Sequence, residues 1–322
     1  MINISEVNTK VGQVKLITIT NEEGMKIVFT SFGAAIYNLS INDKLLSAQE
    51  DELDAFLTSG RFHGKTIGRT CGRIKNGKIK INEKTYSISK YWKHSLHGGK
   101  LGFAFRFFDF EIKEENEYIQ LIFKYLAKDK EEGYPGNLMV NLIYNIYRKE
   151  NKIDIIFDAI SDCDTVCNLT NHTYFNLNID ECFLNQKMLI NADQYVEIDK
   201  ELIFKKYQNV DEFFDFRKIK PFMDSNVKYK KNSFYDHDFV LNGTKPNAIL
   251  TSSDGKIRLE IDTTYPILHI YTGTLEVNTK ILGVAIECEK KAFDKDDIFL
   301  KKDERYYQKS TYKFIVEGDY LC

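Results

Sequence analysis

The chain has 322 residues, of which 43% are hydrophobic and 29% charged, enough apolar material for a sizeable core and incompatible with a disordered or fibrous protein. Forty-five Lys and Arg stand against 47 Asp and Glu, a formal charge of -2. Without the basic excess that phosphate backbones or anionic lipids select, nucleic acid and membrane surface are excluded as main partners.

The first residues, MINISEVNTKVG, show no charged stretch followed by an apolar one. No apolar run approaches the ~18 residues of a bilayer span, so a cytoplasmic protein is expected. Four prolines and 18 glycines are spread along the chain with no linker or long repeat, which predicts one continuous domain over 1–322.

In segment 49–58, Leu53, Phe56 and Leu57 recur at helical spacing among acidic residues, predicting a short helix. Asn76-Gly77 marks a tight turn. Ile119, Leu121, Phe123 and Tyr125 alternate with polar residues after the turn KEENE. Leu138, Val140, Leu142, Tyr144 and Ile146 do the same, and RKENK leads on to Ile153, Ile155, Phe157 and Ala159, the pattern of a hairpin with one buried face. Ile257, Leu259 and Ile261 follow SSDG in like manner. The 23 Phe and 19 Tyr suit pleated, half-buried surfaces. The fold class is therefore mainly β, with large packed sheets and few short helices. Alternating βα units with a glycine fingerprint are missing, which weighs against a nucleotide-binding protein.

Cys71, Cys163, Cys167, Cys182, Cys288 and Cys322 lack CxxC spacing and are expected to be reduced, mostly buried thiols. The sequons at Asn168 and Asn171 carry no weight without a secretory route. Among six histidines, His97 in SLHGGKLGF and His172 in LTNHTYFNL have the most polar and turn-rich settings. Asp236 in SFYDHDFVL and Glu287 in LGVAIECEK are charges flanked by apolar residues, which are usually paired or functional when buried. The plainer alternatives are a turn residue for Asp236 and a solvent-facing strand residue for Glu287. Arg73 is either a surface charge or a fork for hydroxyls or a carboxylate. His94 and His97, three apart, make only a weak metal pair because no helical periodicity puts them on one face.

Seven segments, in order, are similar to those of the galactose mutarotase, or aldose 1-epimerase, family: GRTCGRI around Arg69 and Arg73, SLHGGKLGF around His97, EEGYPGNL from Glu131, NHTYFNL around His172, YDHDFVL around Asp236, IYTG from Ile270 and GVAIECE around Glu287. The resemblance implies a single large antiparallel β-sandwich, the supersandwich, with a sugar bound in an open cleft. It implies cofactor-free exchange of α and β anomers of free aldohexoses, Glu287 being the general base and His172 the general acid; no metal site is expected. Arg73, His97, Tyr174 and Asp236 then grip the sugar, with His269 where the family often places a sugar-touching Gln. Other departures are Gly72 for Asn, Glu289 for Gln, and KKAFDKDD without the usual Pro-Asp. The expected partner is a small aldohexose, and a monomer is the default assembly.

These residue types suit the reaction. Opening a hemiacetal needs a base at the C1 hydroxyl and an acid at the ring oxygen, and a carboxylate with an imidazole supplies both near neutral pH. Two other readings remain: a glycoside hydrolase using Asp236 and Glu287, whose carboxyls would then stand about 5 to 10 Å apart, and a sugar-binding module of the same fold without turnover.

Overall fold

The structure is a computed structural model that describes residues 1–48, 50–178, 183–222, 235–273, 283–291 and 295–317. Three large antiparallel sheets dominate the described residues. The first holds five strands in sequence order, Ile2–Thr9 through Lys44–Leu45. The second has nine strands. Asp109–Glu114, Tyr118–Ala127, Leu138–Tyr147 and Lys152–Ser161 form a meander, followed across the sheet by Arg305–Val316, Ile257–Thr263, Ala248–Thr251, Lys187–Ile190 and Lys220–Pro221. The third runs Phe204–Asn209, Ala192–Ile198, Asp236–Leu241, Ile267–Tyr271, Val284–Glu289, Tyr174–Phe175 and Ser47–Ala48.

The alternation of the central hairpin becomes one buried face. Leu142 pairs with Phe157 and Tyr144 with Ile155, and all of the inward residues from Leu138 to Ile146 are fully buried, each worth about 1.5 to 3 kcal/mol relative to exposure. Phe29 of the first sheet packs on Tyr144 of the second, ring centroids 4.8 Å apart. Phe175 of the third packs on Tyr312 of the second at 5.8 Å. One apolar core therefore runs through all three sheets, as expected of the sandwich.

The helix is shorter than its acidic surroundings suggest, spanning Leu53–Thr58 with Phe56 and Leu57 buried. Glu52 precedes it without making a side-chain cap, so Asp51 and Glu52 add no turn. Asn76 and Gly77 both take left-handed backbone angles, φ 56° and 60°. Their turn links two ribbons, however, whereas the hairpin turn is at Asn82 and Glu83, between Ile81 and its partner Lys84. Cys71, Cys167 and Cys288 are buried free thiols and Cys163 is half-buried; Cys182 and Cys322 lie outside the described residues. Asn168 and Asn171 are buried, out of reach of glycosylation. Among the described residues no helix is long and apolar enough to cross a membrane.

Candidate active site

The third sheet presents its polar face to a cavity of about 700 Å³, within the range of small-molecule sites. Paired residues of an antiparallel sheet share a face, and side chains two apart return to it. Asp238, His269 and Glu287 are in register and form one row. Asp236, Tyr271, Ala285 and Tyr174 form the next. The opposite face carries Phe239, Leu268, Ile270, Ile286 and Phe175, all in the core. Alternation thus puts a polar floor on one side of the same strands whose other side anchors the fold.

His172, Arg73 and His97 come from outside this sheet. The backbone of His172 is held on both sides, its N–H donating to the Lys65 carbonyl and its carbonyl accepting from Gly64 N–H, each at 2.9 Å. Arg73 lies on a two-stranded ribbon opposite Leu96, and the His97 N–H donates to the Gly72 carbonyl. At Gly98, φ is +87° and an added Cβ would stand 1.8 Å from the Gly68 carbonyl oxygen, so only glycine lets the chain turn beside His97.

Two segments in the resemblance hold the site from behind. Arg69, buried, donates to the carbonyls of Ala127, Pro135 and Gly136 and to Thr165 Oγ1. The segment EEGYPGNL is thereby an anchor outside the cavity lining. Asn168, three residues before NHTYFNL, exchanges hydrogen bonds with the Lys290 backbone, tying the approach to that segment to the end of the Glu287 strand.

On the floor, His172 Nε2 lies 3.3 Å from Glu287 Oε1, and both residues are buried, at 4% and 2% exposure. The solvent-facing alternative for Glu287 is therefore excluded. Burial pushes the Glu287 carboxyl up to about 7 and the His172 imidazole down to about 3. Both shifts favour neutral forms, since a charge loses hydration there. His97 stands edge-on to His172, centroids 5.3 Å apart, and burial holds its imidazole well below its ordinary proton affinity. Nδ1 of His97 and Nδ1 of His172 have no partner among the described residues.

Asp236 is on a strand, which corrects its turn-residue alternative. It meets Arg73 Nη2 at 3.4 Å and His269 Nε2 at 3.3 Å. Burial opposes its charge, but the His269 hydrogen bond and the Arg73 guanidinium hold its carboxyl well below the usual carboxylate range. The Tyr174 hydroxyl donates to the Arg61 carbonyl at 3.1 Å, which leaves its ring as the part that faces His172, centroids 5.1 Å apart. All the residues expected at the site, Glu287, His172, Arg73, His97, Tyr174, Asp236 and His269, line the one cavity.

His94 does not join His97 in a metal pair: it accepts from Asn76 N–H and contacts Glu201. Among the described residues, two other groups have metal-ligating donor atoms within 4.8 Å of one another, His97 with His172 and Glu287, and Asp238 with His269 and Glu289. In the first these are also acid and base groups; in the second Asp238 and His269 are hydrogen-bonded to each other.

Asp238 and Tyr271 are cavity residues that the sequence reading passed over. Asp238 carried a readable signal, since it lies two residues past Asp236 on the same strand. Glu289, noted only as a departure, is buried, takes a hydrogen bond from Cys71 Sγ, and is held protonated by burial well above the usual carboxyl range. A neutral glutamic acid has nearly the shape of Gln, with a donor and an acceptor, which explains why that substitution fits. Gly72 has φ +66°, a conformation that Asn also tolerates, so Gly for Asn keeps the backbone while removing a side chain. Residues 292–294 of KKAFDKDD lie outside the described residues.

Comparison with known proteins agrees with this geometry. A family model described as aldose 1-epimerase matches residues 15–313. The aldose 1-epimerase of Haemophilus influenzae is 31% identical, over 93% of this chain and 95% of that protein. The galactose mutarotase of Homo sapiens is 30% identical, over 77% of this chain and 75% of its own. The crystal structure of galactose 1-epimerase from Lactobacillus acidophilus superposes with a TM-score of 0.87 at 26% identity, covering 99% of this chain and 100% of that one. With its mainly β sandwich and polar cavity, the chain belongs to the aldose 1-epimerase family, carbohydrate isomerases also known as mutarotases.

Proposed function

We propose that this protein interconverts the α and β anomers of free aldohexoses, galactose and glucose among them, by acid–base opening of the hemiacetal ring. The observation that carries the reading is the buried 3.3 Å contact of His172 with Glu287, on the floor of a cavity also lined by Arg73, His97 and Asp236. The C1 hydroxyl oxygen and the ring oxygen are bonded to the same carbon, so two adjacent groups reach both.

Glu287 is the general base. A carboxyl raised to about 7 binds the C1 proton more strongly than an exposed one. His172 is the general acid. The proton that titrates near 7 belongs to the pair: drawn on Glu287 it leaves a neutral imidazole, and drawn on His172 it gives the carboxylate and imidazolium that the first step uses. Glu287 takes the C1 hydroxyl proton, His172 protonates the ring oxygen, and the C1–O5 bond breaks. The aldehyde turns about C1–C2, and closure runs the same transfers with the roles exchanged. Arg73, His97 and Asp236 hold hydroxyls meanwhile, His97 through the ring nitrogen without a partner among the described residues, and the Tyr174 ring lies beside the reacting centre. The same reading takes the protein as one continuous domain, a cytoplasmic monomer acting without cofactor or metal.

Freshly dissolved α-D-galactose or α-D-glucose, followed by polarimetry with the buffer rate subtracted, tests this. Faster equilibration is the expected result. Hexose binding by calorimetry without acceleration would replace it with the non-catalytic sugar-binding module.

A further inference from the structure

The floor carries charges that proton transfer to the sugar does not use. In the row Asp238, His269, Glu287, the imidazole of His269 stands between two carboxylates. Its Nδ1 is 2.6 Å from Asp238 Oδ1, and its Nε2 is 3.3 Å from Asp236 Oδ1. The other oxygen of Asp236 accepts from Arg73 at 3.4 Å. Asp238, His269, Asp236 and Arg73 thus form a line of alternating sign that ends at the sugar-facing wall. Ionised carboxylates only accept hydrogen bonds, so both contacts are satisfied at once only when each ring nitrogen carries a hydrogen. With both N–H groups committed, His269 has no donor left for a sugar hydroxyl. It stands where relatives often have a sugar-touching Gln, yet its contacts are made within the protein.

We propose that Asp238 and His269 are a positioning pair: Asp238 locks His269 with both ring nitrogens as donors, and His269, with Arg73, fixes the Asp236 carboxylate in the orientation that receives a sugar hydroxyl. The sugar half of this statement rests on the function proposed above; the charge half does not. The groups facing His269 support it. Burial works against the imidazolium, but the hydrogen bonds to Asp236 and Asp238 outweigh burial and raise its proton affinity well above that of an ordinary histidine, with Glu287 adding to the effect. Glu289, whose carboxyl has a donor atom within 4.8 Å of the Asp238 and His269 atoms, is held neutral by burial and bonded to Cys71, so it contributes shape and no charge. The neighbouring cations are Arg73 and, when protonated, His237, which burial pushes down to about 4. His97 and His172 are held neutral in the same way. His269 is therefore the cation that balances Asp238.

The test is histidine-selective ¹⁵N labelling with long-range ¹H–¹⁵N correlation from about pH 6 to about pH 9, a window that brackets the ordinary histidine titration. His269→Gln assigns the signals. The wild-type ring is expected to stay doubly protonated throughout. In Asp238→Asn it should lose a proton within the window, and the galactose KM should rise on the order of 10-fold at the alkaline end, the scale of one charge-assisted hydrogen bond, with kcat changed far less. A purely structural role for Asp238 would not make KM depend on pH. A wild-type His269 that is neutral or titrates like a free imidazole overturns the proposal, and so does an Asp238→Asn protein whose galactose KM is unchanged. If the wild-type enzyme fails to accelerate mutarotation while its His269 remains doubly protonated, the proposed function falls instead. Galactose affinity by calorimetry, weaker in Asp238→Asn, then judges the positioning pair.

Discussion

Replacing Glu287 with Gln should separate stability from catalysis, and the size of each effect follows from the burial of this carboxyl. Glu287 is 2% exposed in the strand Val284–Glu289, and its proton affinity rises from 4.5 to about 7 on burial. In the unfolded chain the carboxyl ionises near its ordinary value, so the folded state binds the proton more tightly. The group therefore favours folding in acid. Its contribution declines as pH rises between those two values and is constant above about 7. At about 1.4 kcal/mol per tenfold change in proton affinity, the ionised carboxylate costs the fold about 3 kcal/mol at pH 8. Gln has nearly the same shape, faces His172 Nε2 with an uncharged amide, and never ionises. Glu287→Gln is thus expected to be more stable than wild type by about 3 kcal/mol at pH 8 and by less than about 1 kcal/mol at pH 5, read from urea unfolding at both pH values. The same substitution removes the proposed base, and polarimetry should show the enzymatic rate lowered by roughly 10² to 10⁴. A variant with wild-type activity refutes the base assignment. An equal stability change at both pH values refutes the account of a dry, desolvated carboxyl.

Four further outcomes follow from the structure. His172→Gln should lose roughly 10² to 10⁴ in kcat with a nearly unchanged galactose KM. In the wild type, activity should fall as pH rises through about 7, where the pair gives up its proton, and again toward about 3, where it takes a second one; a flat profile from pH 6 to 9 contradicts the shared proton. Arg69→Met should lower stability by at least about 3 kcal/mol in urea, because the carbonyls of Ala127, Pro135 and Gly136 lose a buried donor. Gly98→Ala puts a methyl against the Gly68 carbonyl at a left-handed backbone position; it should destabilise the fold by about 2 kcal/mol or more and raise KM by displacing His97.

Strands were legible in this sequence wherever one face is dry and the other wet, and their partners were not. Leu138, Val140, Leu142, Tyr144 and Ile146 recur at every second position, so their burial was readable from local sequence. By contrast Arg305–Val316 pairs with Lys152–Ser161 on one side and Ile257–Thr263 on the other, a choice made by apolar faces that meet only after distant segments collapse. The site divides along the same line. Asp236 and Glu287 announce themselves as charges amid apolar neighbours, because such a position is expensive unless paired. Whether a carboxyl there is ionised depends on what surrounds it in three dimensions, and no spacing rule reaches that. Glu289 illustrates the point: two residues from Glu287 on the same strand, it is bonded to Cys71 and held neutral, while Asp236, beside Arg73 and His269, keeps its charge.

The departures at Gly72, His269 and Glu289 can then be understood together. Gly72 preserves a backbone angle open to both Gly and Asn, and a protonated Glu289 reproduces the outline and donor of Gln. His269 brings a new charge to the floor, and Asp238, its in-register neighbour, lies 2.6 Å away to balance it. A cation added alone to this buried floor would lower the proton affinity of both His172 and Glu287. Placed between the carboxylates of Asp238 and Asp236, its charge is matched within its own row and the next, which is the arrangement the proposed positioning pair requires.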